Sequence, residues 1–166
     1  DVDAFLKDTS PGAYGKLVDR LLQSRHYGER MALMWLDLAR YGDTSVYHAD
    51  GPRDMWGWRD HIVNRYNENQ PFDRFSIEQL AGDLIPDATL KQRLASGFNR
   101  NNGTTDEGGA LPEEYPFQYP FERLQTTSTS RLVFHLAFFQ LPDHQFDPNS
   151  QSTDYPLYSL FKRSPD

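Results

Sequence analysis

The sequence predicts a mainly α fold, a single-domain helical bundle with long irregular loops. Apolar residues recur at helical spacing in several segments, and no convincing pair of strands is present. The 166 residues are about the length of one domain and can bury a substantial core. An aromatic content of 14% beside a mean hydropathy of −0.75 indicates that a few large rings form this core. We therefore treat 1–166 as one domain.

Two helices are predicted first. Ser10 and Pro11 have the residue types of an N-cap and a first helical residue, and apolar residues follow at helical spacing up to Leu22. A second helix is expected over 29–41, after a break at 24–28. Its inward positions are predicted to be Met31, Met34, Trp35, Leu38 and Tyr41.

Three further helices are predicted in the middle of the chain. The first spans 54–67. The second begins after the turn at Pro71 and ends near Gly82, and the third spans 88–96 with Asp87 as its cap.

Residues 99–110 are predicted to form a loop, because they contain almost nothing apolar. Loops of this length are often functional, and Asp106 and Glu107 precede two glycines that let the backbone approach a ligand closely. A plain solvated loop is the alternative. A sixth helix is expected over 121–139, because Pro116 and Pro120 prevent a long helix before it. Residues 155–161 are expected to form a short closing helix or an extended segment.

Composition disfavours several kinds of partner. The formal net charge of −7 provides no basic surface for nucleic acid or for an anionic membrane. No apolar run reaches the roughly 18 residues of a membrane span, and the first residues lack the features of a signal peptide. The chain has no cysteine, so it has no disulfide and no thiolate ligand.

The densest potential chemistry lies in 136–148. An apolar stretch stops at Pro142, and Asp143, His144 and Asp147 follow directly. These three residues, with Asp106 and Glu107, are candidate ligands for a divalent cation. A helix-ending turn is the alternative.

The other histidines are weaker candidates. His26 and His48 lie in or beside predicted loops, where a ligand role is conceivable. His61 and His135 lie in apolar helical stretches and are expected to be locally bonded packing residues. The usual hydrolase, phosphate-loop and dinucleotide motifs are missing, and we expect no catalytic nucleophile.

Several segments together resemble the planctomycete cytochrome-associated domain of unknown function, the second cytochrome-type domain of that set. Characteristic examples are Glu107-Gly108-Gly109, Pro112-Glu113-Glu114 and Asp143-His144. The full set, in order along the chain, is 13–22, 26–30, 35–37, 39–41, 59–60, 71–73, 78–84, 107–109, 112–114, 126–127, 143–144 and 146–148.

The resemblance implies an interior piece of a large exported, extracytoplasmic protein. It implies haem c as cofactor, with His26, Met34 and His144 near the site, and other domains of the same longer chain, a redox partner or assembly subunits as partners. This chain departs from the family pattern, because Phe138 and Leu141 stand at the two cysteine positions of the haem-attachment motif and Pro142 at its histidine. Met34 stands where the pattern usually has histidine.

Three hypotheses follow. The chain is a haem-binding or electron-transfer module, a structural or interaction module of an extracellular assembly, or a metal-assisted hydrolase. A haem-free descendant of the family would use the rings of Phe138 and Phe139 to fill the vacated volume.

We predict that the chain carries no covalent haem. Attachment needs two thiols and a following histidine, and Phe138, Leu141 and Pro142 provide none of these groups. A haem stain on a denaturing gel, with a reduced pyridine spectrum of the native protein, checks this. Haem that survives denaturation would mean that these three residues are not the true ones.

Overall fold

The computed structural model describes residues 2–47, 50–105, 111, 113–132 and 151–162, without the side chains of 151–154. Its α-helices are α1 Val2–Lys7, α2 Ala13–Leu22, α3 Arg25–Leu38, α4 Trp56–Asn67, α5 Phe72–Ala81, α6 Leu90–Ala95, α7 Tyr115–Thr127 and α8 Gln151–Phe161. Short 3-10 helices span Gly82–Leu84 and Ser96–Arg100, and Ser128–Leu132 forms a π-helical turn. Strand-like pairing in this part of the chain is limited to two isolated bridges. The predicted mainly α fold is confirmed.

The closest helix packing is between α3 and α4, where Gly28 allows the two backbones to approach. A Cβ atom at Gly28 would lie only 2.4 Å from the Val63 carbonyl oxygen. The Asn67 side chain joins the same two helices, because it accepts from the Gly28 N–H at 2.8 Å and donates to the Arg25 carbonyl at 3.0 Å. Gly28 therefore belongs to α3, and the predicted break there is wrong.

The core is a cluster of aromatic side chains around Trp35, which is 5% exposed. The Phe75 ring lies edge-on to it at 5.0 Å, and the Phe98 ring lies 6.3 Å away. The indole N–H of Trp35 donates to Gln79 Oε1 at 2.9 Å, so the polar edge of the ring is satisfied inside the core. The indole N–H of Trp58 likewise donates a hydrogen bond to the Ala95 carbonyl oxygen at 3.1 Å.

Helix α3 is rotated relative to the predicted orientation. Gly28, Ala32 and Trp35 are its buried residues, whereas Met34 is 66% exposed and Leu38 is also exposed. The prediction that Met34 and Leu38 face inward is wrong, because small residues one and two turns from Trp35 let α4 pack there and point the longer side chains outward.

Three helix boundaries differ from the predictions. Helix α2 begins at Ala13 without a side-chain cap, and α3 begins after Ser24, whose hydroxyl accepts from the His26 N–H at 3.3 Å. Helix α6 begins after Thr89, which forms a reciprocal capping box with Gln92, so Asp87 is not its cap.

Helix α7 extends across a proline that was expected to prevent it. Pro116 lies in the first turn, where its missing N–H costs nothing, and Pro120 lies buried inside the helix. The hydroxyl-rich segment that follows is the π-helical turn, and the Ser128 hydroxyl donates to the Leu124 carbonyl at 2.8 Å. The predicted helix over 133–139 lies outside the described residues.

Trp35→Ala should lower the free energy of unfolding by about 3–5 kcal/mol, because it empties the centre of the aromatic cluster. Urea titration followed by circular dichroism measures the change. The matched control is Trp56→Ala, since Trp56 is 57% exposed, and its cost should stay below about 1 kcal/mol. Equal effects of the two substitutions would contradict the assignment of the core.

The buried His61 should make stability depend on pH. Burial, assisted by the Arg65 charge, lowers the pKa of His61 from 6.5 to about 4, and Arg65 Nε donates to its Nε2 at 3.4 Å. Above pH 6.5 the ring is neutral in both states. As pH falls towards 4, the unfolded chain binds a proton that the folded chain excludes, so stability is lost at up to about 1.4 kcal/mol per pH unit.

Comparison with His61→Gln isolates this effect, since both proteins share all the carboxylates. Urea titrations at pH 7, 6, 5 and 4 should show a steeper decline for the parent than for the variant. Parallel declines would contradict a buried neutral His61.

Candidate functional site

Two of the predicted site residues lie on the exposed side of α3, and they are not brought together. His26 is in its first turn, and its Nδ1 lies 2.7 Å from Glu29 Oε2. Met34 follows eight residues later, which along an α-helix corresponds to about 12 Å. His26 is thus engaged with a carboxylate at the surface, and Met34 faces solvent well away from it.

The other predicted site residues lie outside the described residues. They are Asp106, Glu107, Phe138, Leu141, Pro142, Asp143, His144 and Asp147, and with them the histidines at 48 and 135. Their roles as haem or cation ligands stay predictions. Within the described part of the chain, no group of three or more histidine and acidic side chains is placed to hold a metal ion.

A buried carboxylate on α7 organises the loop that follows α3. Glu122 accepts a hydrogen bond from the Tyr47 hydroxyl at 2.6 Å, and its other oxygen lies 3.9 Å from Arg40. The hydrogen bond to Glu122 and burial raise the pKa of Tyr47 to about 12, so the hydroxyl stays a donor at neutral pH. Arg40 also donates to Gln125 Oε1 at 3.0 Å.

Backbone geometry at two positions makes this contact reachable. Arg40 adopts a left-handed φ of 59° just after α3, which turns the chain sharply. Gly103 lies under the Tyr47 ring, where a Cβ atom would come within 2.5 Å of it. The Tyr47–Glu122 pair therefore depends on two unrelated loops being correctly placed.

Arg53 ties those two loops together through backbone carbonyls. Its guanidinium donates to the carbonyls of Asn102 at 2.8 Å, Arg100 at 3.2 Å and Gly42 at 3.3 Å. Burial lowers the pKa of Arg53 from its usual value. The Thr104 N–H donates to the Ser45 carbonyl at 2.9 Å, so residues 42–47, 50–53 and 100–105 form one connected unit.

The same unit is attached to α7 by a second buried charge. Arg123 is almost fully buried, and its Nε donates to Asn102 Oδ1 at 3.2 Å. The Thr105 N–H donates to the Tyr119 hydroxyl at 3.2 Å. Thr105 directly precedes Asp106, the first of the predicted acidic ligands, in the sequence.

Arg131, in the π-helical turn, is a further cation inside the fold. Its guanidinium lies 4.0 Å from the centre of the Phe98 ring and 5.1 Å from that of Trp35. Burial lowers the pKa of Arg131 to about 10, which leaves it charged at neutral pH. Within the described residues its Nε and Nη2 have no hydrogen-bond partner. π-helical turns occur often at functional sites.

The described polar groups are arranged to position backbone segments. Arg53 is bonded to carbonyl oxygens, Glu122 to a phenol and an arginine, and Arg123 to an amide. Buried polar groups of this kind are stable because they satisfy one another. Chemically, the arrangement is a support for two loops.

A second surface, on α2 and α1, carries exposed apolar side chains. We call it the outer apolar face, defined by Tyr14, Leu21 and Leu22 of α2 with Val2 and Leu6 of α1. Tyr14 is 73% exposed, the two leucines are 52% and 53% exposed, and α2 buries none of its residues. The predicted helical spacing of these residues is confirmed, but α2 does not use them for the core.

Sequence reasoning missed the support residues on α7 and in the loops. Glu122 and Arg123 stand in a segment where acidic and basic side chains are common at the surface, and Tyr47 and Glu122 are 75 residues apart. The only available signal was the adjacency of two opposite charges inside an aromatic-rich helix. That signal is weak, because exposed helices show it as well.

One comparison with known proteins identifies the chain's family. No curated protein and no solved structure matches it. The family model described as PSCyt2, a protein of unknown function (DUF1549), matches residues 1–166. The chain therefore belongs to the PSCyt2 (DUF1549) family of proteins of unknown function.

Proposed function

We propose that the chain is a structural or interaction module, and that its outer apolar face packs against another folded protein domain. The single observation that supports this is the exposure of three residues of the apolar stripe of α2, Tyr14, Leu21 and Leu22, on a helix that buries none of its residues. An amphipathic helix gains its stability by burying that stripe. A protein that leaves it exposed has a partner for it.

The area of the face suits such a partner. Taking roughly 200 Å² for a large side chain at full exposure, the five residues offer on the order of 600 Å². This is near the upper end of the largest patches on ordinary monomers, and it approaches the about 800 Å² that each partner contributes to a standard interface. The face is large enough for a stable contact with one domain.

Charge favours a protein over a lipid surface as the occupant. The charged residues of α1, α2 and the turn between them include both signs, with no excess of basic side chains. They are Asp3, Asp8 and Asp19, which are acidic, and Lys7, Lys16 and Arg20, which are basic. Helices that lie on anionic membranes carry an excess of lysine and arginine. In the described part of the chain, none of the helices has the length and apolarity needed to cross a bilayer.

A haem-binding or electron-transfer role is the second candidate, favoured by the cytochrome element in the family name PSCyt2. Its cofactor would be haem, held without covalent attachment by residues such as His144. The exposed positions of His26 and Met34 support the interaction role better, because haem ligands usually stand in an apolar crevice. An extracytoplasmic location fits both candidates.

The outer apolar face should be covered in the native full-length protein. Hydroxyl-radical footprinting of that protein should label Tyr14, Leu21 and Leu22 several-fold more slowly than Leu33, an equally exposed leucine on α3 that serves as internal control. Equal labelling of Leu21 and Leu33 would show that nothing covers the face.

The substitution Leu21→Lys tests which molecule covers the outer apolar face. Leu21→Lys places a charge in the centre of the contact and should raise the labelling of Tyr14 without changing the circular dichroism spectrum. Leu33→Lys is the matched control and should leave Tyr14 labelling unchanged. A native mass that halves in Leu21→Lys would mean that the occupant is a second copy of this chain, which would overturn the assignment to a different domain.

A further inference from the structure

A cavity of about 200 Å³ lies beside the end of α4, separate from the outer apolar face and from the loop support. The rings of Tyr27, Tyr66, Phe72 and Phe75 line it on three helices. Arg65, Asn69 and Gln70 supply its polar lining. Its volume exceeds the about 150 Å³ of a cavity that takes benzene and falls below the about 300 Å³ at which pockets for larger ligands begin. The cavity is therefore large enough to hold a single six-membered ring.

The rim of the cavity is a rigid chain reversal. Asn69 adopts a left-handed φ of 49°, a conformation that asparagine tolerates at helix ends. The Asn69 N–H donates to the Tyr66 carbonyl and the Gln70 N–H to the Arg65 carbonyl, both at 3.1 Å. Pro71 then starts α5. The polar groups of the rim are thus presented on fixed backbone.

The aromatic wall continues into the core. The Tyr66 and Phe75 rings lie 5.7 Å apart, and the Phe72 ring lies 6.4 Å from both Phe75 and Trp35. Because these rings are held by the core, they form a preformed apolar surface on which a flat ligand face can stack.

One polar atom of the cavity lining is buried without a partner in the described part of the chain. Gln70 Nε2 donates to Glu78 Oε2 at 2.9 Å, and since a carboxylate can only accept, this bond fixes the orientation of the amide. The opposite atom, Gln70 Oε1, is buried and has no hydrogen-bond partner in the described part of the chain. An atom in this state binds ordered water or a ligand. Tyr27 and Tyr66 add two hydroxyl groups to the lining.

The charges around the cavity favour a neutral ligand. Arg65 Nη1 is paired with Glu68 Oε2, so its charge is compensated. The cavity also adjoins the C-terminal end of α4, where the helix dipole is negative. An anion would therefore find no uncompensated positive charge. Burial, with the nearby Tyr27, raises the pKa of Tyr66, which keeps its hydroxyl neutral.

We propose that this cavity binds one neutral monosaccharide ring. A pyranose has an apolar C–H face that stacks on aromatic rings and a rim of hydroxyls that both donate and accept hydrogen bonds. The cavity matches both features: the Tyr66–Phe75 wall takes the face, while Gln70 Oε1 accepts and the two tyrosine hydroxyls donate or accept. A phenol, with a single polar atom, would leave most of these groups unpaired.

The test is a titration of the purified protein with methyl glycosides of glucose, galactose, mannose and N-acetylglucosamine, with phenol as comparison. Protein-observed NMR, or tryptophan fluorescence through the nearby Trp35, follows binding. At least one glycoside should bind saturably and more tightly than phenol. Tyr66→Phe, which removes one hydroxyl and keeps the ring, should weaken that binding by about three- to tenfold.

The matched control is Tyr155→Phe, an identical change at an exposed position on α8, which should leave the affinity unchanged. A second variant, Phe72→Ala, removes part of the stacking wall from an exposed position and should also weaken binding. The proposal is overturned if no glycoside gives a saturable signal, if phenol binds more tightly than every glycoside, or if Tyr66→Phe and Tyr155→Phe bind alike.

Discussion

The burial of Trp35 with its N–H satisfied is the constraint on which the rest of the structure depends. Gln79 is fully buried on α5 to accept that N–H, and its own amide nitrogen donates to the Phe75 carbonyl at 3.3 Å. A buried donor left unpaired would cost about 1–3 kcal/mol, about twice what a typical hydrogen bond contributes. This one bond therefore sets the position of α5 relative to α3, and Phe75 and Phe98 close around the ring as a result.

Charged side chains hold two loops in place against the helices. Residues 42–47, 50–53 and 100–105 are mostly polar, so hydrophobic packing alone would not hold them. Arg53, Glu122 and Arg123 hold them by hydrogen bonds to carbonyls, a phenol and an amide. Each bond is modest on its own, but the bonds act on the same two loops, so the loss of one weakens the placement of the groups that form the others.

The interior and the surface of the molecule therefore have different roles. Inside, nearly every large ring and charge is engaged in holding α3, α4, α5 and α7 together. At the surface, the described part of the chain carries the exposed residues Tyr14, Leu21 and Leu22 of α2 and the cavity at the end of α4, where Gln70 Oε1 has no described partner. Membership of the PSCyt2 family does not define a function for either. We propose both as surfaces for recognition, and they lie on separate parts of the fold.

The sequence by itself determined the helical class, the approximate helices and the burial of Trp35, because helical periodicity and a large ring are local properties. Only the tertiary structure decided which side of α3 faces inward. The small residues Gly28 and Ala32 let α4 pack against that side, and Met34 faces solvent. The tertiary structure also decided that α7 crosses Pro120 and that Glu122 meets Tyr47 from 75 residues away. Such contacts depend on how whole helices pack, and no local pattern encodes that packing.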